Sequence, residues 1–326
     1  MQQTKATDMV HQITIPTPFP VGPVHVWFIE GYSLTLVDTG PATPEAERVL
    51  KEELQALGYQ LQDIDTVVLT HHHPDHCGLA HLFQDTAEIA AHPKAAPWVE
   101  KETDFIEHMR QFFRRFYHAH ALPAQLVEAV TREQEYLLNM TPSVTVDQFL
   151  VHGSKLTSSP EWQVIETPGH AQNHISLYRA DDGGFIGGDH LLLDTSSNAI
   201  IEPPHLPEET RPKTLLEYRS SLKACAALNI SMVYPGHGPV FYDAAKLIEQ
   251  RLIEQEERGK ELVRRLQTYG EQSAFELCEA LFPNVHKKQP ALTMSEIVGH
   301  LDMLEAAGEI GRVQRDDEMI RYKVDH

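Results

Sequence analysis

Apolar and polar residues alternate along the first part of the chain in blocks that predict strands and helices in turn. Residues 24–29 and 34–37 are rich in β-branched and aromatic side chains, which is typical of neighbouring strands. Thr43, Pro44 and Glu45 then supply a capping hydroxyl, a first-turn proline and a first-turn acid, which predict the start of a helix. The buried stripe and the end of that helix are formed by Leu50, Leu54, Leu57 and Gly58. This alternation indicates an α/β domain.

A helical segment, the helical insertion, interrupts the alternation between residues 97 and 142. Its first stretch places four apolar side chains at i, i+3, i+7 and i+10 on one helix face: Ile106, Met109, Phe113 and Phe116. Residues 123–138 form a second amphipathic stretch. We expect the insertion to pack its aromatic side chains on the core, to act as a lid over a substrate pocket, or to do both. As a lid it would offer an anionic ligand three arginines: Arg110, Arg114 and Arg115.

The last eighty residues are again helical before they return to strand. The predicted features are a helix over residues 243–267, capping boxes at Ser273–Glu276 and Thr293–Glu296, a helix end at Gly308, and a hairpin over residues 310–324 that turns at Asp316 and Asp317. Three helices and a hairpin resemble a winged-helix module, and we assign it residues 246–326.

The charge balance disfavours a nucleic-acid partner. The chain has 27 Lys and Arg against 47 Asp and Glu, a net charge of −20, and a strongly acidic chain repels polyanions. The expected recognition helix over residues 293–307 carries Glu296, Asp302 and Glu305 but no Lys or Arg. We therefore predict a packing or dimerisation role for this module, with a homodimer as one option.

Cysteine usage and hydropathy favour a cytoplasmic protein. Cys77, Cys225 and Cys278 are scattered and odd in number, which is not a disulfide framework. Residues 1–16 lack the apolar stretch of a secretory signal, and no run approaches the ~20 apolar residues of a membrane span.

A dense group of histidines and acids predicts a metal site. His71, His73, Asp75 and His76 lie within six residues, directly after the apolar run 67–69. Three further candidates each follow a strand-like run and come directly after a glycine: His170, Asp189 and His237. Ligands at strand ends are held in place before a metal binds, and imidazole and carboxylate donors suit Zn²⁺, with Fe or Mn as alternatives.

The spacing His-x-His-x-Asp-His, followed by His170, Asp189 and His237, resembles the metallo-β-lactamase superfamily of metal-dependent hydrolases over about residues 1–245. The resemblance implies an αββα sandwich with two metal ions at one edge of the sheets. It implies that one ion is held by His71, His73 and His170 and the other by Asp75, His76 and His237, with Asp189 as a bridge. Asp38 in Val37–Gly40 would support the ligands without binding metal.

Residues at two positions argue against particular branches of this superfamily. Asp189 stands where true β-lactamases carry cysteine, which argues against penicillin hydrolysis, and His73 stands where diiron flavoprotein oxidoreductases carry Glu.

We expect Cys77 to be a packing residue and His72 to point away from the ligands. His174 and His190 are expected to support ligands or line the pocket, and the tyrosines Tyr178, Tyr234 and Tyr242 are open candidates for polarising a carbonyl.

The resemblance to the glyoxalase II branch implies hydrolysis of a thioester or ester of a small, partly apolar acid. A metal-bridging hydroxide would attack the carbonyl without a covalent intermediate, and Asp75 would act as the proton shuttle. Three alternatives stay open. They are a ribonuclease or phosphodiesterase, since lactamase-like endoribonucleases carry a similar tail, a lactone hydrolase, and a binding protein with a vestigial site.

Overall fold

The structure, a computed structural model, describes residues 9–314 and 318–325. Its strands are β1 Met9–Ile15, β2 Val24–Glu30, β3 Leu34–Val37, β4 Thr66–Leu69, β5 Glu88–Ala91, β6 Gln148–Phe149, β7 Trp162–Glu166, β8 Ile175–Arg179, β9 Gly184–Gly188, β10 Met232–Pro235, β11 Gln272–Ser273, β12 Ile310–Gln314 and β13 Ile320–Val324. Its helices are α1 Pro44–Ala56, α2 Pro74–Cys77, α3 Ala96–Val99, α4 Thr103–Ala119, α5 Ala124–Met140, α6 Thr214–Ala226, α7 Ala244–Tyr269, α8 Ala274–Leu281 and α9 Pro290–Ala306.

Two sheets form the centre of the first 245 residues. The first has the order β1-β2-β3-β4-β5-β6, antiparallel from β1 to β3 and parallel from β3 to β6. The second has the order β10-β9-β8-β7, with β10 and β9 parallel and the other neighbours antiparallel. Parallel neighbours bring their carboxyl ends to the same edge, which is where loops can carry a site.

The two sheets pack face to face, and helices cover their outer faces. Strand β2 shows the arrangement, because Trp27 and Ile29 join the cluster between the sheets while Phe28 points to the cluster that includes α1. Strand β9 does the same in the second sheet, with Ile186 inside and Phe185 towards α6 and α7. Side chains alternate across a strand, so both faces of each sheet are buried. The αββα sandwich is confirmed.

Helix α1 begins and ends where the sequence predicts. Thr43 is the N-cap residue, and its hydroxyl accepts a hydrogen bond from the Ala46 N–H at 3.1 Å. Leu50 and Leu54 are fully buried. Gly58, just past the end, has φ +93°, a conformation that glycine adopts without strain.

The helical insertion is confirmed as helical, but its aromatic face does not pack on the sandwich core. Phe116 and Tyr117 of α4 share a cluster with Leu262 of α7 and Tyr322 of β13. The insertion and the C-terminal part therefore bury one another's apolar surface. The division of the chain at residue 245 stays a prediction, since this packing crosses it.

The C-terminal part contains α7, α8, α9 and a sheet of order β11-β13-β12. The Ser273–Glu276 capping box is confirmed. The box at Thr293 is wrong, because α9 begins three residues earlier at Pro290, and the Thr293 hydroxyl donates to the Gln289 carbonyl at 3.1 Å. Proline at the first helical position fixes φ for a helix, which here outweighs the capping pattern. The predicted Asp316–Asp317 turn lies outside the described residues, and the winged-helix assignment stays a prediction.

Helix α9 is a core helix. Met294, Ile297, Val298 and Leu301 are almost fully buried. Asp302 is also buried, and its carboxylate pairs with Arg211 at 2.6 Å and with Arg312 at 3.1 Å. In the part of the chain that the structure covers, no helix combines the length and apolar character that a membrane span requires.

Candidate metal centre

The loop after β4 carries four of the predicted ligands on a short, fixed path. Strand β4 ends at Leu69, and His73 is the N-cap residue of the one-turn helix α2, which Pro74 starts. Proline sets φ for the helix start. The turn therefore holds Asp75 and His76 on a defined element immediately after His73.

The remaining three predicted ligands arrive from the second sheet. His170 lies in the turn between β7 and β8, Asp189 directly follows β9, and His237 follows β10. The structure brings all seven together in groups whose ligand atoms lie within 4.8 Å of one another: His71, His73 and His170; His71, His76 and Asp189; and Asp75, His76 and His237. Both sheets thus contribute to one site at their shared edge.

One half of the site is a triangle of imidazoles. His73 Nδ1 lies 2.9 Å from His71 Nε2 and 3.0 Å from His170 Nε2. The three rings meet nearly at right angles, with interplanar angles of 80° to 87°. Their nitrogens converge on one point, as the ligands of a single cation must.

Asp189 lies between this triangle and the other half of the site. Its Oδ2 is 3.5 Å from His170 Nε2 and 3.7 Å from His237 Nε2, and its Oδ1 is 3.3 Å from His76 Nε2. Asp75 Oδ2 closes the second half at 3.3 Å from His237 Nε2. A carboxylate in this central place can contact cations in both halves.

The outward nitrogens of four predicted histidine ligands form hydrogen bonds with the protein. His71 Nδ1 lies 3.0 Å from Thr70 Oγ1 and His76 Nδ1 lies 2.7 Å from Asp38 Oδ2. The Nδ1 atoms of the other two donate to backbone carbonyls, His170 to Asn198 at 2.8 Å and His237 to Pro23 at 2.7 Å. Such contacts fix the ring and its tautomer, so that the Nε2 lone pair faces inward.

Burial and neighbouring charges shift the pKa values of the site in different directions. Burial lowers the pKa of His71 and of His73 well below the ordinary histidine value. Burial also opposes a charge on His76, but the carboxylates of Asp189 and Asp38 outweigh it and raise its pKa. Against its own burial, the imidazoles of His76 and His237 hold the pKa of Asp189 well below the usual range. The neutral imidazoles of His71 and His73 and the ionised carboxylate of Asp189 attract a cation, whereas on His76 a bound cation would have to replace the proton that the carboxylates favour.

Among the seven predicted ligands, three buried side-chain atoms have no hydrogen-bond partner in the described part of the chain: His76 Nε2, His237 Nε2 and Asp189 Oδ1. Buried polar atoms in native proteins are nearly always paired. These three face one another around the carboxylate, in the place where an ion would satisfy all of them. The residues present therefore fit divalent metal ions, although their role as ligands stays a prediction.

Gly236 lets the backbone pass beside the ligands. A Cβ at this position would collide with Asp189 Oδ1 and would lie 2.8 Å from His76 Cε1. Gly236 N–H donates to the Gly188 carbonyl at 2.7 Å, which fixes the approach of the two strand ends. Only glycine leaves room for the carboxylate here.

Asp38 supports the centre from behind, as the resemblance implies. Its carboxylate accepts hydrogen bonds from the Thr70 N–H at 2.8 Å and from the Thr70 hydroxyl at 2.8 Å, in addition to its contact with His76. Its φ of +65° is left-handed, which Asp and Asn tolerate better than most residues.

We expect Asp38→Asn to weaken metal binding by about 10- to 100-fold, because the amide keeps the backbone but removes the charge that orients His76. Competition with a chromophoric chelator measures the affinity. Exposed Asp63→Asn is the matched control. Unchanged affinity in Asp38→Asn would contradict the supporting role.

A cavity of about 830 Å³ opens beside the ligands. His73, Asp75, His170 and Asp189 lie in its wall. Most of the remaining lining is apolar. The helical insertion and the start of α9 supply Met109, Phe113, Val130, Leu137, Leu138 and Leu292, and other segments supply Phe19, Val21, Leu192, Ile200 and Ile201. Cavities of this size and character bind small organic ligands.

The arginines of the insertion do not serve this cavity. Arg110 forms a two-bond ion pair with Glu135 at 2.6 and 2.9 Å, which ties α4 to α5. Arg114 lines a different cavity, of about 700 Å³, beside Pro123 and Met319. Spacing along a helix predicts which side chains share a face but not what that face meets.

His72 and Glu202 are cavity residues that the sequence did not identify as a pair. The His72 ring stacks on Trp98 at 4.1 Å, and its Nε2 lies 3.7 Å from Glu202 Oε1. Burial raises the pKa of the Glu202 carboxyl to about 7. His72 faces the cavity, but it does not point away from all the predicted ligands: its ring lies 4.8 Å from the His73 ring, and ligand atoms of His72, His73 and Glu202 lie within 4.8 Å of one another. No local signal marks Glu202, which lies in a loop far along the chain.

The structure also shows where the other candidate histidine, cysteine and tyrosine side chains lie. His174 Nε2 accepts a hydrogen bond from the Asp189 N–H at 3.1 Å, so it positions that predicted ligand. Cys77 is buried, its thiol donates to the His72 carbonyl at 3.1 Å, and burial raises its pKa. The Tyr178 hydroxyl donates to the Asn229 carbonyl at 3.3 Å, and Tyr242 is 71% exposed. Neither tyrosine lines the cavity, nor does Tyr234.

Comparison with known proteins adds independent findings. Residues 19–237 match a family model described as "Metallo-beta-lactamase superfamily". The chain is 39% identical over 301 residues to "Probable metallo-hydrolase YqjP" of Bacillus subtilis (strain 168), which covers 92% of this chain and 93% of that protein. It is 27% identical over 221 residues to a hydroxyacylglutathione hydrolase of Albidiferax ferrireducens, covering 62% of this chain and 66% of that protein.

A solved structure extends the likeness to the whole chain. A metallo-beta-lactamase family protein from Thermus thermophilus superposes with a TM-score of 0.81 at 28% identity, over 97% of this chain and 98% of that one. The helical insertion and the C-terminal part are therefore features that the two proteins share.

Proposed function

The chain belongs to the metallo-beta-lactamase superfamily, and from that premise we propose that it is a binuclear metallohydrolase for a thioester or ester of a small, partly apolar acid. One observation carries the proposal. Two sets of buried donors meet at a single carboxylate, Asp189, and they open onto a largely apolar cavity.

We assign His71, His73 and His170 to one ion, Asp75, His76 and His237 to the second, and Asp189 to both. Five imidazoles and two carboxylates without a thiolate suit Zn²⁺, with Fe or Mn as alternatives. When bound, two such ions supply a water of lowered pKa and an electrophile for the carbonyl oxygen. The buried unpartnered atoms of His76, His237 and Asp189 support this assignment.

Asp75 is the residue that we assign to proton transfer. It lines the cavity, and its Oδ2 lies 3.3 Å from His237 Nε2. In hydrolysis the water oxygen bonds to the carbonyl carbon and the carbon–sulfur or carbon–oxygen bond breaks. Asp75 Oδ1 takes a proton from the attacking water and passes it to the leaving atom. The products are a carboxylic acid and a thiol or an alcohol.

Several features favour a carbonyl substrate over nucleic acid. The chain has a net charge of −20, which opposes a polyanion. Helix α9, the expected recognition helix, is buried, and its Asp302 is engaged with Arg211. The name of the hydroxyacylglutathione hydrolase relative describes a thioester hydrolase, which supports the same direction. Three free, buried cysteines support a reducing, cytoplasmic location.

Zinc-loaded protein should cleave acyl-glutathione, acyl-CoA or an acyl-lactone and leave a short single-stranded RNA intact. Product formation on this matched panel is the measurement. Asp75→Asn, assayed in parallel, should lower turnover about 100-fold or more, because it removes the proton acceptor. Cleaved RNA with silent acyl substrates would overturn the proposal and favour the phosphodiesterase alternative.

A further inference from the structure

The turn that carries His170 is attached to a second loop, residues 198–213. His170 Nδ1 donates to the Asn198 carbonyl at 2.8 Å. Two residues further along the turn, the side-chain amide of Gln172 donates to the Pro203 carbonyl at 2.7 Å. The orientation of the His170 ring therefore depends on where the first residues of this loop lie.

The 198–213 loop has no regular structure of its own to hold it in place. All of its residues are described, and they form no helix and no strand. Its prolines have no backbone N–H to donate, and they are Pro203, Pro204, Pro207 and Pro212. The loop therefore depends on contacts with its surroundings for a fixed position.

Helix α9 of the C-terminal part supplies such a contact. The Ile201 N–H donates to Ser295 Oγ at 3.1 Å, and the Ser295 hydroxyl donates in turn to the Ala291 carbonyl at 2.8 Å. Both Ile201 and Ser295 are buried. The Ile201 side chain joins the same apolar cluster as Met294 and Val298. A buried N–H needs an acceptor, and Ser295 provides it for Ile201.

The same face of α9 also holds the far end of the loop. Ser295, Gly299 and Asp302 are spaced i, i+4 and i+7, which places them on one side of the helix. Asp302 pairs with Arg211 at 2.6 Å. A Cβ on Gly299 would lie 3.0 Å from Leu215 Cβ, so α9 approaches the start of α6 closely. One helix face thus holds the loop near both of its ends.

We propose that Ser295 is a positioning residue for the metal centre. By holding Ile201, it keeps the Asn198 carbonyl, three residues earlier, in the place where that carbonyl fixes the His170 ring. The C-terminal part thereby helps to build the half of the site that contains His170. This inference rests on the proposed function, which assigns His170 to a metal ion, and it adds a role for α9 in holding that ligand.

Ser295→Ala should weaken the binding of one of the two metal ions about 10-fold and leave the other unchanged, because it loosens His170 but not the ligands of the second ion. Competition between the protein and a chromophoric chelator for Co²⁺ gives both affinities. The visible absorption of bound Co²⁺ depends on ligand geometry and should change as well. A role of Ser295 in stability alone would leave that spectrum as in the wild-type protein.

Thr293→Ala is the matched control, because it removes another buried hydroxyl from the same helix. The Thr293 hydroxyl donates to the Gln289 carbonyl at 3.1 Å, at the start of α9. This variant should lower the melting temperature while both Co²⁺ affinities and the spectrum stay unchanged. Equal weakening of metal binding in Thr293→Ala and Ser295→Ala would overturn the inference.

Hydrogen exchange tests the contact without any metal. In metal-free protein, the amides of residues 198–203 should exchange faster in Ser295→Ala than in wild type or in Thr293→Ala, because the Ile201 N–H loses its acceptor. Unchanged exchange in this segment would show that Ser295 does not hold the loop, and the inference would fail.

Gln172→Ala loosens the same loop from its other side, by removing the hydrogen bond to the Pro203 carbonyl. If both residues act on His170 through the loop, their effects on the weakened metal ion are not additive. The double variant Ser295→Ala/Gln172→Ala should then bind that ion about as tightly as the weaker of the two single variants. Fully additive losses would mean that the two residues act independently, contrary to the inference.

Metal binding and turnover together keep this inference distinct from the proposed function. Ser295-dependent binding of one ion, in a protein that cleaves none of the acyl substrates, would retain the positioning role and remove the thioester or ester assignment. Acyl hydrolysis by the wild-type protein, with the same metal affinities and Co²⁺ spectrum in Ser295→Ala, would do the reverse.

Discussion

Asp189→Asn lowers kcat/KM by about 1,000-fold or more on whichever substrate the wild-type protein cleaves, since it removes a charge that two metal ions are expected to share. The substitution keeps the shape of the side chain. Its carboxylate lies 3.3 to 3.7 Å from three imidazoles, those of His76, His170 and His237. Asparagine keeps one oxygen but replaces the other with an NH₂ group, which cannot bind a cation. The two halves of the site would therefore lose the ligand that they share.

Metal content and turnover together test this expectation. Inductively coupled plasma mass spectrometry should find fewer ions per chain in Asp189→Asn than in the wild-type protein. Asp194→Asn is the matched control, because Asp194 is exposed and lies five residues further along the same loop. Full metal content with full activity in Asp189→Asn would remove the bridging assignment.

Gly236→Ala should lower activity by about 100-fold or more, although it adds a single methyl group. The added Cβ collides with Asp189 Oδ1 and reaches 2.8 Å from His76 Cε1, so the central carboxylate must move. A displacement of about 1 Å at a reacting centre costs on the order of 100-fold in rate. Metal affinity should fall as well, because the same movement separates Asp189 from His76.

Gly58→Ala distinguishes this effect from a general loss of stability. Gly58 has φ +93° and open space where an added methyl group would lie, so alanine there costs about 1 kcal/mol of folding free energy through backbone strain. It should lower the melting temperature without changing metal content or kcat/KM. If Gly236→Ala also lowered only the melting temperature and left metal content and kcat/KM unchanged, the close approach of Gly236 to Asp189 would not matter for catalysis.

The sandwich and the ligand set could be predicted because both leave local signals. Strands end within two residues of His71, Asp189 and His237, and parallel neighbours bring such ends to one edge. The spacing within residues 71–76 is short enough that any turn keeps the donors together. The structure places all seven candidates within reach of one another.

Contacts between distant segments leave no such signal. The apolar face of α4 is evident from the sequence, but the cluster that it joins includes Leu262 and Tyr322, which lie far along the chain. The pairing of His72 with Glu202 is of the same kind. Two local patterns can also predict different helix starts. The capping sequence predicts a start at Thr293, but the helix begins three residues earlier, at Pro290.

The core shared by the helical insertion and the C-terminal part bears on how such proteins diverge. Tyr117 packs with Leu262 and Tyr322, while Phe113 of the same helix lines the cavity. Substitutions near the end of the chain can therefore reshape the wall of the cavity without touching any proposed ligand. Selection for a new substrate can therefore change the last eighty residues while the proposed metal ligands stay the same.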